Sequence, residues 1–389
     1  MKKSVYLLGG LAALALLGGC GWFKGNSTKR ENIAQPKALV ELVPSLGVKE
    51  VWSRGIGKGA GRSGIRVTPA LHDGTLYSAG VDGEVTAIDA ASGKAQWSRD
   101  VKLKLAGGPG VGNGVLVVGG MDGDVLALDI GNGAERWRAR VSAEVVAAPA
   151  VGPDLVYVRS NDGRVFAFDI NDGKQRWVND RATVPLLSLR GNASPHLAGD
   201  LLLNATDAGK VMALRASDGA AAWEQSLATA EGRTEVERLS DVDGDLVIDG
   251  DVIYAAAYHG QVVALSLSSG RQVWNRALSS YTNVGVSASQ VYAVDDQSQV
   301  WALDRTSGAS MWKQDALQYR WLSGPAVQGD YVVVGDLEGY VHWLAIGDGK
   351  EVARERLSKN AIRATPVVSG DTVYVVDVDG KLAAYRAQL

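Results

Sequence analysis

A seventeen-residue segment recurs along this chain, and its spacing constrains the fold more than any other feature. The clearest copies are "VDGEVTAIDAASGKAQW" (81–97), "MDGDVLALDIGNGAERW" (121–137) and "NDGRVFAFDINDGKQRW" (161–177). Weaker copies occupy 207–223, 258–274, 296–312 and 337–353, and a truncated one ends the chain at 378–389. Aligned on Val85, Val125, Val165, Val211, Val262, Val300, Val341 and Leu382, they stand 40, 40, 46, 51, 38, 41 and 41 residues apart. A Trp follows the valine by twelve residues in the first six copies (Trp97, Trp137, Trp177, Trp223, Trp274, Trp312), whereas the seventh has Ala353 there.

Each unit reads as four short strands. A proline opens most of them (Pro69, Pro109, Pro149, Pro195, Pro325, Pro366), and an apolar run such as "GVLVVGG" follows. An Asp-Gly turn leads to an alternating stretch such as "EVTAID", and a second turn leads to the strand with the Trp. Strand patterning on a period of about 40 residues is the signature of a β-propeller blade. The last copy lacks an outer strand, and "GVKEVWSR" (47–54), with Trp52, supplies one. The expectation is an all-β, eight-bladed β-propeller with four antiparallel strands per blade. An N-terminal strand completes the last C-terminal blade and closes the ring, which leaves few free sheet edges.

The N-terminus places this ring. Lys2 and Lys3 precede a short apolar run from Val5 to Leu17, which is a secretory signal too short to span about 30 Å of hydrocarbon. It ends in Leu17-Gly18-Gly19-Cys20, which resembles a bacterial lipobox, with Cys20 the acylated residue. Cys20 is the only cysteine, so no intramolecular disulfide is available. Acylation stabilises membrane attachment by about 0.8 kcal/mol per buried CH₂. Gly21 follows, and the lipoprotein sorting rule then implies the periplasmic face of the outer membrane. The expected organisation is a removed signal at 1–19, a lipidated N-terminus and flexible tether at 20–45, and the propeller at 46–389. The net charge of −3 gives no reason to expect nucleic acid as a partner.

The pattern in "AIDAASGKAQW" and "ALDRTSGASMW" resembles the tryptophan-docking repeat of the pyrroloquinoline-quinone (PQQ) dehydrogenase propellers. That resemblance implies a quinone held beside adjacent cysteines and a calcium ion. The chain has no cysteine pair, its histidines (His72, His196, His259, His342) lie on different blades, and no nucleophile or zinc motif occurs. The repeat thus reports architecture, and neither cofactor nor catalysis is expected. A PQQ-dependent oxidoreductase and an envelope polysaccharide-binding lipoprotein remain as alternatives.

Departures from regularity point to the functional surface. Most connections from the Trp of one blade to the start of the next span 10 to 13 residues, but Trp177–Pro195 spans 18 and Trp223–Leu246 spans 23. The first contains "VPLLSLRGNASP" (184–195), with leucines beside Arg190. The second contains "EVERLSDVDGDLVIDGD" (235–251). Its D-x-D-x-D triplet suggests calcium, yet an EF-hand needs Gly sixth and Glu twelfth, and counting from Asp241 those places hold Leu246 and Val252. A solvated acidic loop and a docking loop are the other readings.

A Trp-repeat ring on a lipoprotein, with "LSLRG" (187–191), "RLSDVD" (238–243) and "GDLEGYVHWL" (335–344), resembles the BamB family of outer-membrane β-barrel assembly factors over nearly the whole mature chain. The resemblance implies a non-catalytic scaffold that binds the periplasmic POTRA domains of the barrel insertase BamA, with unfolded outer-membrane precursors as further possible clients. Carried over residue by residue, Leu187, Leu189 and Arg190 form one contact set and Asp241 and Asp243 the second. Asp245-Leu246 departs from the proline expected at a blade start.

Overall fold

The computed structural model describes residues 34–61, 63, 65–180, 193–228 and 240–388. From Pro36 onward these form one compact unit. They fold into eight four-stranded antiparallel sheets, and among them there is no helix. Seven sheets use consecutive strands, at 70–100, 105–140, 150–179, 196–226, 247–277, 285–314 and 326–356, numbered here blades 1 to 7. Blade 8 takes three strands from 367–388 and its outermost from Gly47–Gly55, which pairs antiparallel with Lys381–Gln388. The expected eight-bladed propeller and its closure by an N-terminal strand are therefore observed.

The second and third strands of each blade are covered on both faces, because blades stack against one another. Val115–Gly120 is wholly buried, and even the alternating Glu84–Asp89 buries Thr86, which is bonded to Ser98 at 3.0 Å. Only the outermost strands show the exposed pattern of a sheet edge.

The tryptophans fasten neighbouring blades. Trp97 Nε1 donates to Ile130 O at 3.0 Å, Trp137 to Ile170 O at 2.8 Å and Trp312 to Ile346 O at 2.7 Å, each acceptor lying in the next blade. The ring lies over the glycine of that blade's last turn. A Cβ on Gly173, whose φ is +68°, would come within 2.6 Å of Trp137, so the position demands glycine both for backbone and for space. Within its own blade each Trp faces an alanine across the strand pair, as in Ala87↔Trp97, Ala127↔Trp137 and Ala302↔Trp312. The strand register shifts beside each pairing.

Blade 7 inverts this pair. There Trp343 stands on the third strand and Ala353 on the fourth. The reason is the closure. Blade 8's last two strands, Lys381–Gln388 and Gly47–Gly55, are not consecutive in sequence, so no turn joins them and there is no glycine turn for a Trp to dock on. Ala353 instead packs with Leu46, Leu357 and Ala387, while Trp343 is fully buried and donates to Gln328 Oε1 at 2.7 Å. Trp52, on the borrowed strand, docks regularly on blade 1 through Ala90 O.

Residues 36–45, expected as part of a flexible tether, are bound to the ring. Lys37 N–H donates to Gln318 O, Ser45 and Leu46 donate to Val352 O, and Leu39 packs against the interface of blades 6 and 7. Residues 36–46 are thus a strap bound along blade 7.

Candidate docking face

Backbone bonds define the two faces of the ring. The N–H groups of Met121, Asn161, Tyr258, Asp296, Leu337 and Val378, in turns between second and third strands, donate to Lys104, Glu144, Asp241, Ser279, Arg320 and Ala361 in the connections between blades. Those turns and connections therefore share one face. Turns between third and fourth strands bond to those between first and second on the other, as Ala90 N–H does to Gly74 O.

This register locates the acidic triplet. Each of those acceptors lies five residues before a blade start, at Pro109, Pro149, Val284, Pro325 and Pro366, and Asp241 lies five before Leu246. From Asp241 onward the second long connection is thus regular, and its additional residues all precede Asp241. Leu246, in the expected proline's place, is buried in the core of blades 4 and 5.

Asp241 and Asp243 are not the open acidic surface that their composition suggested. They are 0% and 3% exposed. Asp243 accepts from Arg66 Nη2 at 2.7 Å, and Arg66 also reaches Tyr281 O at 3.0 Å. Asp245 is the exposed member: its Oδ1 accepts from Ser194 N–H at 2.6 Å, with His196 Nε2 3.9 Å away. Ser194 closes the first long connection, so Asp245 stitches the bases of the two connections together. Beneath the same exit, Arg159 and Asp207 form a buried pair between blades 3 and 4, and Arg159 also faces Ala193 O. Leu187, Leu189, Arg190 and Cys20 lie outside the described residues. Asp243 and Asp245 have separate partners, and among the described residues no three His, Cys, Asp or Glu side chains converge as metal ligands would.

One cluster has the residue types of acid–base chemistry. His342 holds Asp336 Oδ2 at 3.2 Å through Nε2 and Glu351 Oε1 at 2.6 Å through Nδ1. Arg320 Nε donates to Asp336 at 2.8 Å, and Arg354 Nη2 to Glu351 at 2.6 Å. Burial alone would raise both carboxyls, but the hydrogen bonds and charge of His342, with Arg320 on Asp336 and Arg354 on Glu351, hold both below the ordinary range. His342 is 0% exposed, so no substrate reaches it, and the outer ends of the network close on the strap: Arg320 donates to Lys37 O and Arg354 to Val40 O. Sequence reasoning scattered the histidines and missed this cluster. The available signal was a histidine in the register that holds Leu126, Phe166, Met212 and Val263 in other copies.

The family of the outer membrane protein assembly factor BamB matches residues 46–102, 81–314 and 311–388. A BamB from Xanthomonas campestris pv. campestris is 43% identical over 404 residues, covering 99% of both chains. The chain belongs to the BamB family. A second member, from Pseudomonas aeruginosa, is 43% identical over 376 residues, with 96% of this chain and 97% of that one covered. The crystal structure of BamB from Moraxella catarrhalis superposes with a TM-score of 0.80 at 28% identity, covering 87% of this chain and all of that one. A quinohemoprotein alcohol dehydrogenase from Pseudomonas putida, at 14% identity and a TM-score of 0.69 over 87% of this chain and 76% of that one, shares the fold alone. The resemblance to BamB read from the sequence is thereby shown.

Proposed function

We propose that this protein is a non-catalytic scaffold in the assembly of outer-membrane proteins, anchored through Cys20 to the periplasmic face of the outer membrane. Its docking face carries the two long connections, and its partner is the POTRA region of a BamA-like insertase. The observation that carries the reading is the full-length match to a family named for outer-membrane assembly, combined with two adjoining enlarged connections on one face. Leu187, Leu189 and Arg190 provide an apolar core with a charged rim, the composition of an interface centre. Asp241 and Asp243 act from beneath by shaping the neighbouring connection, and Asp245 adds exposed charge that favours oriented encounter over affinity. The non-catalytic reading is supported by the sealed position of His342 and by the structural partners of Asp243 and Asp245. Unfolded precursors are proposed as secondary clients along the outer blade edges, by strand addition.

The test is co-purification from detergent-solubilised outer membranes. Wild type is expected to retain the insertase, and Arg190→Glu to lose it with an unchanged melting temperature. Equal retention by the variant would remove the first connection from the interface.

A further inference from the structure

Arg66 makes a contact that blade architecture does not require. It lies just before the innermost strand of blade 1, Ala70–His72. Its partners, Asp243 and Tyr281, lie just before the innermost strands of blades 5 and 6, Val247–Asp249 and Gly285–Val286. In a ring of eight, blade 1 and blade 5 face each other across the centre. The guanidinium therefore bridges the mouth of the channel, beside a cavity of about 390 Å³ lined by Pro69, Pro109, Pro149 and Pro195.

We propose that Arg66 is a positioning residue for partner docking: its cross-channel pair with Asp243 fixes the base from which the second long connection springs. The inference rests on the docking reading above. Three further contacts show how completely that base is defined. Asp241 O accepts from Tyr258 N–H at 2.8 Å, and Val242 N–H donates to Thr206 O at 3.3 Å. A Cβ on Gly244 would lie 2.3 Å from Asn283 N, so the turn sits directly on the backbone of blade 6's lead-in. Neighbours on blades 4, 5 and 6 thus hold the turn on its outer side, and Arg66 holds it from the channel. The pair is sheltered, with side chains 21% and 4% exposed, so removing the guanidinium takes away a counter-charge that lies 2.7 Å from a nearly buried carboxylate. The turn at 241–244 relieves that by moving toward water. This explains how a nearly hidden aspartate bears on docking, and it links the glycine-rich segment ahead of blade 1 to the docking face.

The experiment uses the mature lipoprotein in detergent, a soluble POTRA fragment of the insertase as probe, and amide hydrogen exchange without the probe. Arg66→Ala is expected to weaken binding by about ten-fold or more and to speed exchange at the Val242 and Tyr258 amides. The paired reversal, Arg66→Asp with Asp243→Arg, is expected to restore both. Wild-type binding and exchange in Arg66→Ala would overturn the proposal, as would failure of the reversal to recover either. If wild type does not bind the fragment, the docking reading falls, and exchange alone decides whether Arg66 positions the turn. Should Arg66→Ala not fold, Asp243→Asn tests the same pairing, and unchanged exchange there overturns it.

Discussion

The interface between blades 7 and 8 and the other seven solve one packing problem in two ways. At the regular interfaces an indole reaches across, donates to a carbonyl and covers a glycine turn. At the closure that turn is missing, and the Trp–Ala pair is reversed so that the indole stays inside its own blade. The strap at 36–46 and the charges joined through His342 cover that blade instead. The difference teaches that the tryptophan is matched to the turn ahead of it rather than to the blade that carries it. At the closure, aromatic docking gives way to polar contacts that also bind the strap at 36–46.

Three perturbations probe the comparison. The largest effect is expected from Trp137→Ala at a regular interface, which removes a buried indole and its hydrogen bond and should destabilise by about 3–5 kcal/mol in urea unfolding. Restoring the regular order in blade 7, by Trp343→Ala with Ala353→Trp, should not help. The indole then has no turn to cover and loses Gln328, so a loss of about 1–3 kcal/mol is expected. A gain would show that the Trp does not depend on the turn ahead.

Acid should act selectively at the closure, with the smallest effect. Asp336 and Glu351 have folded pKa values below their unfolded ones, so their stabilisation is present above the ordinary carboxylate range and is lost as pH falls through the lowered values. Below about pH 4, amides of the strap should lose protection relative to their intrinsic exchange rate at the same pH, and Asp336→Asn should blunt that dependence. Equal acid sensitivity at the strap and at the Trp137 interface would break the distinction.

The fold was legible because repetition averages out local ambiguity. Eight copies aligned on seven valines and Leu382, a fixed step to the Trp in six of them and one stray strand left a single closed arrangement. The site was less legible. Composition marked the Asp241–Asp245 stretch as acidic surface, yet only register showed that Asp241 is a regular lead-in position and that Asp243 points to Arg66. A pair separated by 177 positions and joined across a ring leaves no trace in local pattern. The strap was hidden for a similar reason: its backbone groups bond to Gln318, Val352, Arg320 and Arg354, which no side-chain periodicity announces. Ala353 could be seen as an exception, but its cause needed the closure.

The most direct test of the docking face is hydrogen–deuterium exchange of the lipoprotein with and without the soluble POTRA fragment. Protection is expected in peptides covering 181–195 and 229–245, with the opposite-face turns at 90–93 and 130–133 unchanged. Protection confined to those opposite-face turns, or none on either face, would contradict the account.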